Sequence, residues 1–302
     1  MSAFPAGPGP SAIAAVFRGA GVTGRLHALD IDSGHEVGVG SDDPVVLASV
    51  YKLPLLVAFF RAAARGTLDP RAALTLTPAE RRPGATGLST LLDDVTMSLR
   101  DLATMMITVS DNAAGDALFA QVGTDALAAT LADLGLDATR IEADSDGLMA
   151  ALLQDSGAAS MAELWVLLGE PGLADRLRSL DPARTNRTTP RDMCRLLGLL
   201  WHDEAAPPDE SAQMRRMLAL QVWPHRLASG FPYDDVLVSG KTGTLLTIRN
   251  EVGVVEYPDG GRYAVAVFTR AHAPLAVAPQ ADAAIGAAAR LAVQHLRATQ
   301  RR

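Results

Sequence analysis

Of the 27 lysine and arginine residues in this 302-residue chain, only Lys52 and Lys241 are lysines. Arginine stays charged in a protein, whereas lysine can be driven to its neutral amine by burial or by a neighbouring cation, and can then accept a proton. Each lysine stands in a short motif, Ser49-Val50-Tyr51-Lys52 and Lys241-Thr242-Gly243, and Ser110-Asp111-Asn112 lies between them. A serine hydroxyl is too weakly acidic to attack an amide unaided and needs a base within hydrogen-bond reach. Ser49 and Lys52, at i and i+3, share one face of a first helical turn, so the amine can reach the hydroxyl. The helix N-terminus adds partial positive charge where an acyl oxyanion would form. Lys52 can serve as base only with a lowered pKa. A second ammonium nearby would lower it, and Lys241, on the edge of a strand, is the other lysine available. The chemistry within reach is acyl transfer through a serine ester.

Taken singly, each motif has a plainer reading. Ser-x-x-Lys arises by chance, Ser110-Asp111-Asn112 suits a helix N-cap before the apolar pattern resuming at Ala113, and Lys-Thr-Gly suits a strand-to-turn step. Their order, and the use of both lysines, favours the catalytic reading.

The elements that must position these groups are legible in outline. Residues 11–20 form an amphipathic helical pattern. A strand-like run over Leu26, Ala28, Leu29 and Ile31 follows, with a return over 35–40. From Ser49 the pattern is helical, with Pro54 near enough to the start to be tolerated. Residues 97–228 are mostly Ala/Leu-rich helix broken by Gly and Pro. Val236–Ser239, Asn250–Tyr257 and Arg262–Arg270 read as strands, the last two joined by a Pro258-Asp259-Gly260-Gly261 turn, and a helix over 280–298 closes the chain. The expected fold is α+β: an antiparallel sheet built from both chain ends with flanking helices (1–52 and 229–302), and a helical lobe over 53–228. The Pro/Gly-rich residues 1–10 read as a loose tail.

At this point the chain resembles the active-site-serine penicillin-recognising enzymes, and most closely the class A β-lactamases. The resemblance spans nearly the whole length and includes Ile107 to Ala114, Arg187-Thr188-Thr189-Pro190-Arg191 and Val238 to Thr244. It implies that Ser49 is acylated, that Lys52 is its base and that Ser110 relays a proton to the leaving nitrogen. It further implies that Asn112 holds the substrate amide, that Lys241 and Thr242 bind a substrate carboxylate, and that the N–H groups of Ser49 and Thr244 form the oxyanion hole. Arg249 lies near the place of the family's carboxylate-binding arginine, about one residue out of register. The implied partner is a small acyl substrate carrying a carboxylate.

One family feature is missing. A glutamate that activates the deacylating water is expected between residues 113 and 187, but the Glu-x-x-Leu-Asn pattern is absent. Reading forward from Thr139-Arg140 puts Ser145 at its place, flanked by Asp144 and Asp146. Reading backward from Thr188-Thr189-Pro190 offers Glu170-Pro171-Gly172-Leu173. Glu142, Asp144, Asp146 and Glu170 read as solvated loop or helix charges, which places efficient hydrolysis, though not acylation, in question. Three readings follow: a β-lactamase; an esterase, peptidase or transacylase of a biosynthetic pathway on the same scaffold; or a non-catalytic penicillin-binding sensor.

Other features exclude more than they add. A net charge of −7 with no basic run before Arg301-Arg302 recommends no nucleic-acid partner. No run reaches the ~20 apolar residues of a membrane span, and the N-terminus lacks a basic leader pattern, so a cytoplasmic protein is expected if Met1 is the true start. Gly19-Ala20-Gly21-Val22-Thr23-Gly24 matches G-x-G-x-x-G but stands between helix and strand in the wrong order for a dinucleotide site. The single cysteine, Cys194, reads as a buried small side chain, and the histidines show no metal-ligand spacing. No cofactor is implied, because the motif lysines and serines complete the chemistry. His225 reads as structural or exposed, and Asn186-Arg187-Thr188 as a sequon without a secretory context.

Overall fold

A computed structural model describes residues 9–81, 84–170, 172–274 and 276–300. Most of the Pro/Gly-rich tail, Pro171 and the terminal arginines lie outside them. The chain opens with α1 (Pro10–Gly19), β1 (Val22–Asp30), β2 (Glu36–Val39) and β3 (Val45–Val46). A 3-10 turn over Ala48–Tyr51 leads into α2 (Lys52–Ala64), and β4 (Ala73–Leu76) pairs with β5 (Val95–Ser98). Six helices follow: α3 (Leu99–Thr108), α4 (Asn112–Val122), α5 (Thr124–Asp133), α6 (Ser145–Ser156), α7 (Met161–Leu167) and α8 (Leu173–Arg176). Next come β6 (Arg187–Thr188), α9 (Pro190–Trp201) and α10 (Pro208–Ala219). The chain ends with β7 (Leu237–Leu245), β8 (Ile248–Glu256), β9 (Arg262–Ala271) and α11 (Pro279–Gln300).

The architecture is α+β, as the pattern of elements predicts. The main sheet has the order β2-β1-β9-β8-β7 and is antiparallel throughout, so strands from the two chain ends meet where β1 pairs with β9. Alternate residues of β9 serve opposite faces, as the two-residue strand period requires. Tyr263, Val265 and Val267 pack with Ile13 and Phe17 of α1 and with Ile285 and Val293 of α11. Ala264, Ala266 and Phe268 join α2, α3, α9 and α10 on the other side. Burial on both faces explains why β9 reads as a near-continuous apolar run from Tyr263 to Phe268.

Every residue from Lys52 to Phe60 is buried, so α2 up to its last turn is enclosed all round rather than amphipathic. It carries Lys52 into the interior at its first turn. Side-chain caps set neighbouring helix starts: Ser98 accepts from Asp101 N–H, Asp111 from Ala114 N–H, Asp144 from Gly147 N–H and Thr189 from Asp192 N–H.

The structure differs from the sequence reading in three local ways. Ser49 lies in a 3-10 turn, and the α-helix begins only at Lys52. The strand expected at 236–239 runs on through Lys241-Thr242-Gly243 to Leu245. The short pairs β3–β6 and β4–β5 have too few residues to print a periodicity.

Within the glycine-rich stretch at 19–24, Gly24 serves packing: a Cβ there would stand 2.2 Å from the Phe17 ring of α1. Cys194 is fully buried, and its thiol donates to the His27 carbonyl at 3.1 Å. Burial also holds the thiol well above its ordinary pKa. A thiol-reactive dye is therefore expected to leave the native chain unmodified and to titrate one equivalent in denaturant. Rapid labelling of the native protein would refute this packing.

Candidate active site

The approach to Ser49 is held from behind. Asn250 of β8 donates through Nδ2 to the Val46 and Leu47 carbonyls at 2.9 and 3.3 Å, and Leu47 N–H donates to the Asn186 carbonyl at 3.0 Å. Ala48 then takes a left-handed φ of 46°, a conformation that costs a non-glycine residue about 1–3 kcal/mol and persists only where its surroundings enforce it. The following turn closes with Lys52 N–H donating to the Ser49 carbonyl. Side chains at i and i+3 eclipse in a 3-10 turn, so Ser49 and Lys52 stack on one side. Ser49 is half-buried, and its hydroxyl makes no hydrogen bond among the described residues.

Lys52 is fully enclosed, and its Nζ donates to the Ser110 carbonyl at 2.7 Å, the Asp111 carbonyl at 3.2 Å and Asn112 Oδ1 at 2.7 Å. The second motif is thus bound to the first through one amine. Burial lowers the Lys52 pKa to about 8, opposed by the nearby Asp116 and Asp111 carboxylates. The expected depression is present, but its main cause is desolvation rather than a second ammonium. Ser110 has a φ of 60°, another left-handed non-glycine residue, which turns its hydroxyl toward β7. There Lys241 Nζ donates to Ser110 Oγ at 2.9 Å and to the Thr242 carbonyl at 2.8 Å. Burial, and then the Lys52 charge, hold the Lys241 pKa well below its ordinary value.

Strand β7 lies hard against the serine turn. A Cβ on Gly243 would stand 2.8 Å from the Leu47 carbonyl oxygen and 3.0 Å from Val50 Cγ2, so this close approach requires glycine. Because β7 is an edge strand, alternate N–H groups face away from β8. Thr242 N–H leaves on that free edge, donating to Gln221 Oε1 at 2.7 Å, and by the two-residue period Thr244 N–H leaves on the same side.

Arg249, expected near a substrate carboxylate, and Arg226, for which no role was expected, hold different parts of the β7–β8 hairpin. Arg249 NH1 donates to the Leu246 and Ile248 carbonyls at 2.9 Å each, and NH2 to the Ala276 carbonyl at 3.2 Å, which commits this guanidinium to the β7–β8 turn. Arg226 instead reaches Thr244: it is buried, paired to Asp282 at 2.7 Å, and donates from NH2 to Thr244 Oγ1 at 2.8 Å. Its NH1 bridges the Gly243 and Asn250 carbonyls at 3.0 Å each. No local sequence signal marks Arg226, because all of these partners are distant in the chain.

Glu142 and Glu170 are exposed, and Asp144 caps α6. Ser145 does enter the site: its hydroxyl shares a hydrogen bond with Tyr51 Oη at 2.9 Å and donates to Asn112 Oδ1 at 3.3 Å. Asn186 of the sequon is buried, with Oδ1 accepting the Glu142 and Ala143 N–H groups, while His225 is exposed. No metal-binding cluster occurs among the described residues, and none of their helices is long and apolar enough to cross a membrane.

A model of the beta-lactamase enzyme family (Beta-lactamase2) matches residues 10–296. The chain belongs to this family. It is 32% identical over 292 residues to the "Beta-lactamase regulatory protein BlaB" of Streptomyces cacaoi, covering 92% of this chain and 94% of that protein. It is 27% identical to a beta-lactamase of Streptomyces albus G, over 82% of this chain and 72% of that one. Among solved structures, a beta-lactamase from Sphaerobacter thermophilus DSM 20745 superposes with a TM-score of 0.76 at 27% identity, covering 94% and 96% of the two chains. A mutant of PBP-A, in an acyl-enzyme complex with penicillin G, shares the fold at a TM-score of 0.75 and 24% identity, covering 94% of each chain. The chain is therefore a β-lactamase-family protein, and its relatives include both beta-lactamases and a protein named as regulatory.

Proposed function

We propose that this β-lactamase-family chain forms an acyl-enzyme at Ser49 on the carbonyl of a β-lactam, amide or ester donor that carries a carboxylate. One observation carries the reading: two buried amines grip Ser110 from opposite sides, Lys52 at its carbonyl and Lys241 at its hydroxyl, next to the serine turn. In its neutral form Lys52 accepts the Ser49 proton as Oγ bonds to the carbonyl carbon. The Ser49 and Thr244 N–H groups receive the oxyanion. Ser110 passes a proton, under the influence of Lys241, to the leaving nitrogen or oxygen. Asn112 uses Oδ1 internally, which leaves its Nδ2 to hold a substrate amide carbonyl. Lys241, Thr242, Thr244 and the buried Arg226 bind the carboxylate.

The acylation rate is expected to rise with pH through about 8. Below that value Lys52 holds its proton and cannot accept another; above it the neutral amine accumulates. A rate that stayed flat between pH 6.5 and 9 would remove Lys52 from the role.

A second reading is favoured by the regulatory protein among the relatives and by Ser145 at one of the two places where a carboxylate was expected: a sensor, or an acyl-transfer enzyme with another acceptor, in which the adduct lasts. Intact-protein mass spectrometry with a penicillin and a cephalosporin separates these readings, with Ser49→Ala as control. An adduct that clears as drug is consumed supports a β-lactamase, and a persistent one supports the second reading. An adduct on Ser49→Ala overturns the assignment of the nucleophile.

A further inference from the structure

Three carboxylates stand close behind the motifs, and two of them are fully engaged. Asp111 caps α4 and accepts the Leu88 N–H, while Glu251 accepts Gln221 Nε2 and Leu227 N–H at 2.6 Å each. Asp116 is different. Its Oδ1 accepts the Ser145 N–H at 2.8 Å, but its Oδ2 is shielded from solvent without a hydrogen-bond partner among the described residues.

Its placement follows from α4. Asp116 stands four residues after Asn112, so the two side chains leave one helix face. Asn112 Oδ1 accepts both Lys52 Nζ and the Ser145 hydroxyl, which joins the residue held by Asp116 to the amine beside the nucleophile. Gly115 permits this approach, since a Cβ there would stand 3.0 Å from Lys52 Cε. In the forward register the segment brings Ser145 where a glutamate is expected, and the Asp116 carboxylate meets the Ser145 N–H from the facing helix.

We infer that Asp116 is the general base that activates water for hydrolysis of the acyl-Ser49 ester. The inference rests on the acyl-enzyme reading above. The water oxygen bonds to the acyl carbon as its proton passes to Asp116 Oδ2. The tetrahedral intermediate then breaks its bond to Ser49 Oγ, which leaves with the proton returned by Asp116, and the acid product is released. Burial raises the Asp116 carboxyl pKa to about 6. That makes it a stronger base than an exposed aspartate, while it remains ionised at neutral pH. The groups facing it act in both directions: Asp144 at the α6 cap raises the value, and Lys52 from α2 lowers it. Tyr51 is held neutral, its own ionisation opposed by burial and by Asp116.

The test is adduct clearance after a penicillin pulse, read by intact mass on the full chain. Wild type is expected to clear its adduct, with a rate that rises through about pH 6 and then levels. Asp116→Asn should still form the adduct but clear it about 10²-fold or more slowly, without that pH limb. Thermal melting identifies a variant that has failed to fold, and the wild-type pH profile then decides alone: no limb near pH 6 overturns the assignment. Clearance by Asp116→Asn at the wild-type rate, or a wild-type adduct that never clears, also overturns it and leaves acylation standing. A wild-type chain that forms no adduct refutes the acyl-enzyme reading itself, and this inference falls with it.

Discussion

Replacing Lys52 with methionine is expected to slow acylation of Ser49 by about 10²–10⁴-fold, the range carried by a positioned general base. Methionine fills much of the same enclosed path but supplies no amine. The Ser110 and Asp111 carbonyls lose a donor, and Asn112 Oδ1 keeps only the Ser145 hydroxyl, which costs stability, but the chain no longer buries an ammonium, so the two effects oppose each other. Folding should therefore survive the change better than chemistry does. Lys52→Arg is expected to fail as well, because a guanidinium stays protonated and cannot accept the Ser49 proton. The measurement is the rate of adduct appearance by mass, alongside a melting curve. A Lys52→Met protein that acylates within about threefold of wild type would shift the base to another group.

Asp111→Ala is expected to lower stability by about 3–5 kcal/mol, a large share of the ~5–15 kcal/mol that holds a domain folded. The Asp111 carboxylate is fully buried and serves three donors: the Leu88 N–H, the Ala114 N–H at 3.2 Å and the Ser89 hydroxyl at 3.4 Å. Alanine removes the α4 cap and leaves buried N–H groups unpaired. Ser110 and Asn112 flank this anchor, so adduct formation should fall with the melting temperature. Asp111→Asn keeps one acceptor oxygen and should lose less. Denaturant unfolding decides the matter, and an alanine variant within about 1 kcal/mol of wild type would show that the second motif is held by something else.

Much of this site could be read before any coordinates. Two lysines in a chain that otherwise uses arginine marked the residues that meet around Ser110, and Asp111 as an N-cap proved compatible with a place between Ser110 and Asn112. The sheet drawn from both ends was legible because β1, β8 and β9 carry strand patterns with a turn at 258–261. What stayed hidden depends on distant partners or on backbone torsions. Arg226 becomes meaningful only when Gly243, Thr244, Asn250 and Asp282 surround it. The left-handed φ values at Ala48 and Ser110 occur at residue types that give no hint of them. Asp116 offered a faint signal, one turn from Asn112, but its environment was set by Ser145 across the site.

The pairing of β1 with β9 has a consequence for synthesis. Leu26 lies opposite Val267 and Val22 opposite Ala271, so the second strand made at the sheet's centre emerges only near the end of translation. Until then the apolar side chains of β1 have α1, α9 and the β2 hairpin for cover, but no central strand to complete the sheet. Pairings between such remote segments form slowly, since the chain must close its longest loop first. A nascent chain therefore carries Ser49 and Lys52 well before Lys241 has a sheet to stand in. A ribosome that stalls before residue 262 would release a chain with an uncovered strand edge and a strong tendency to aggregate.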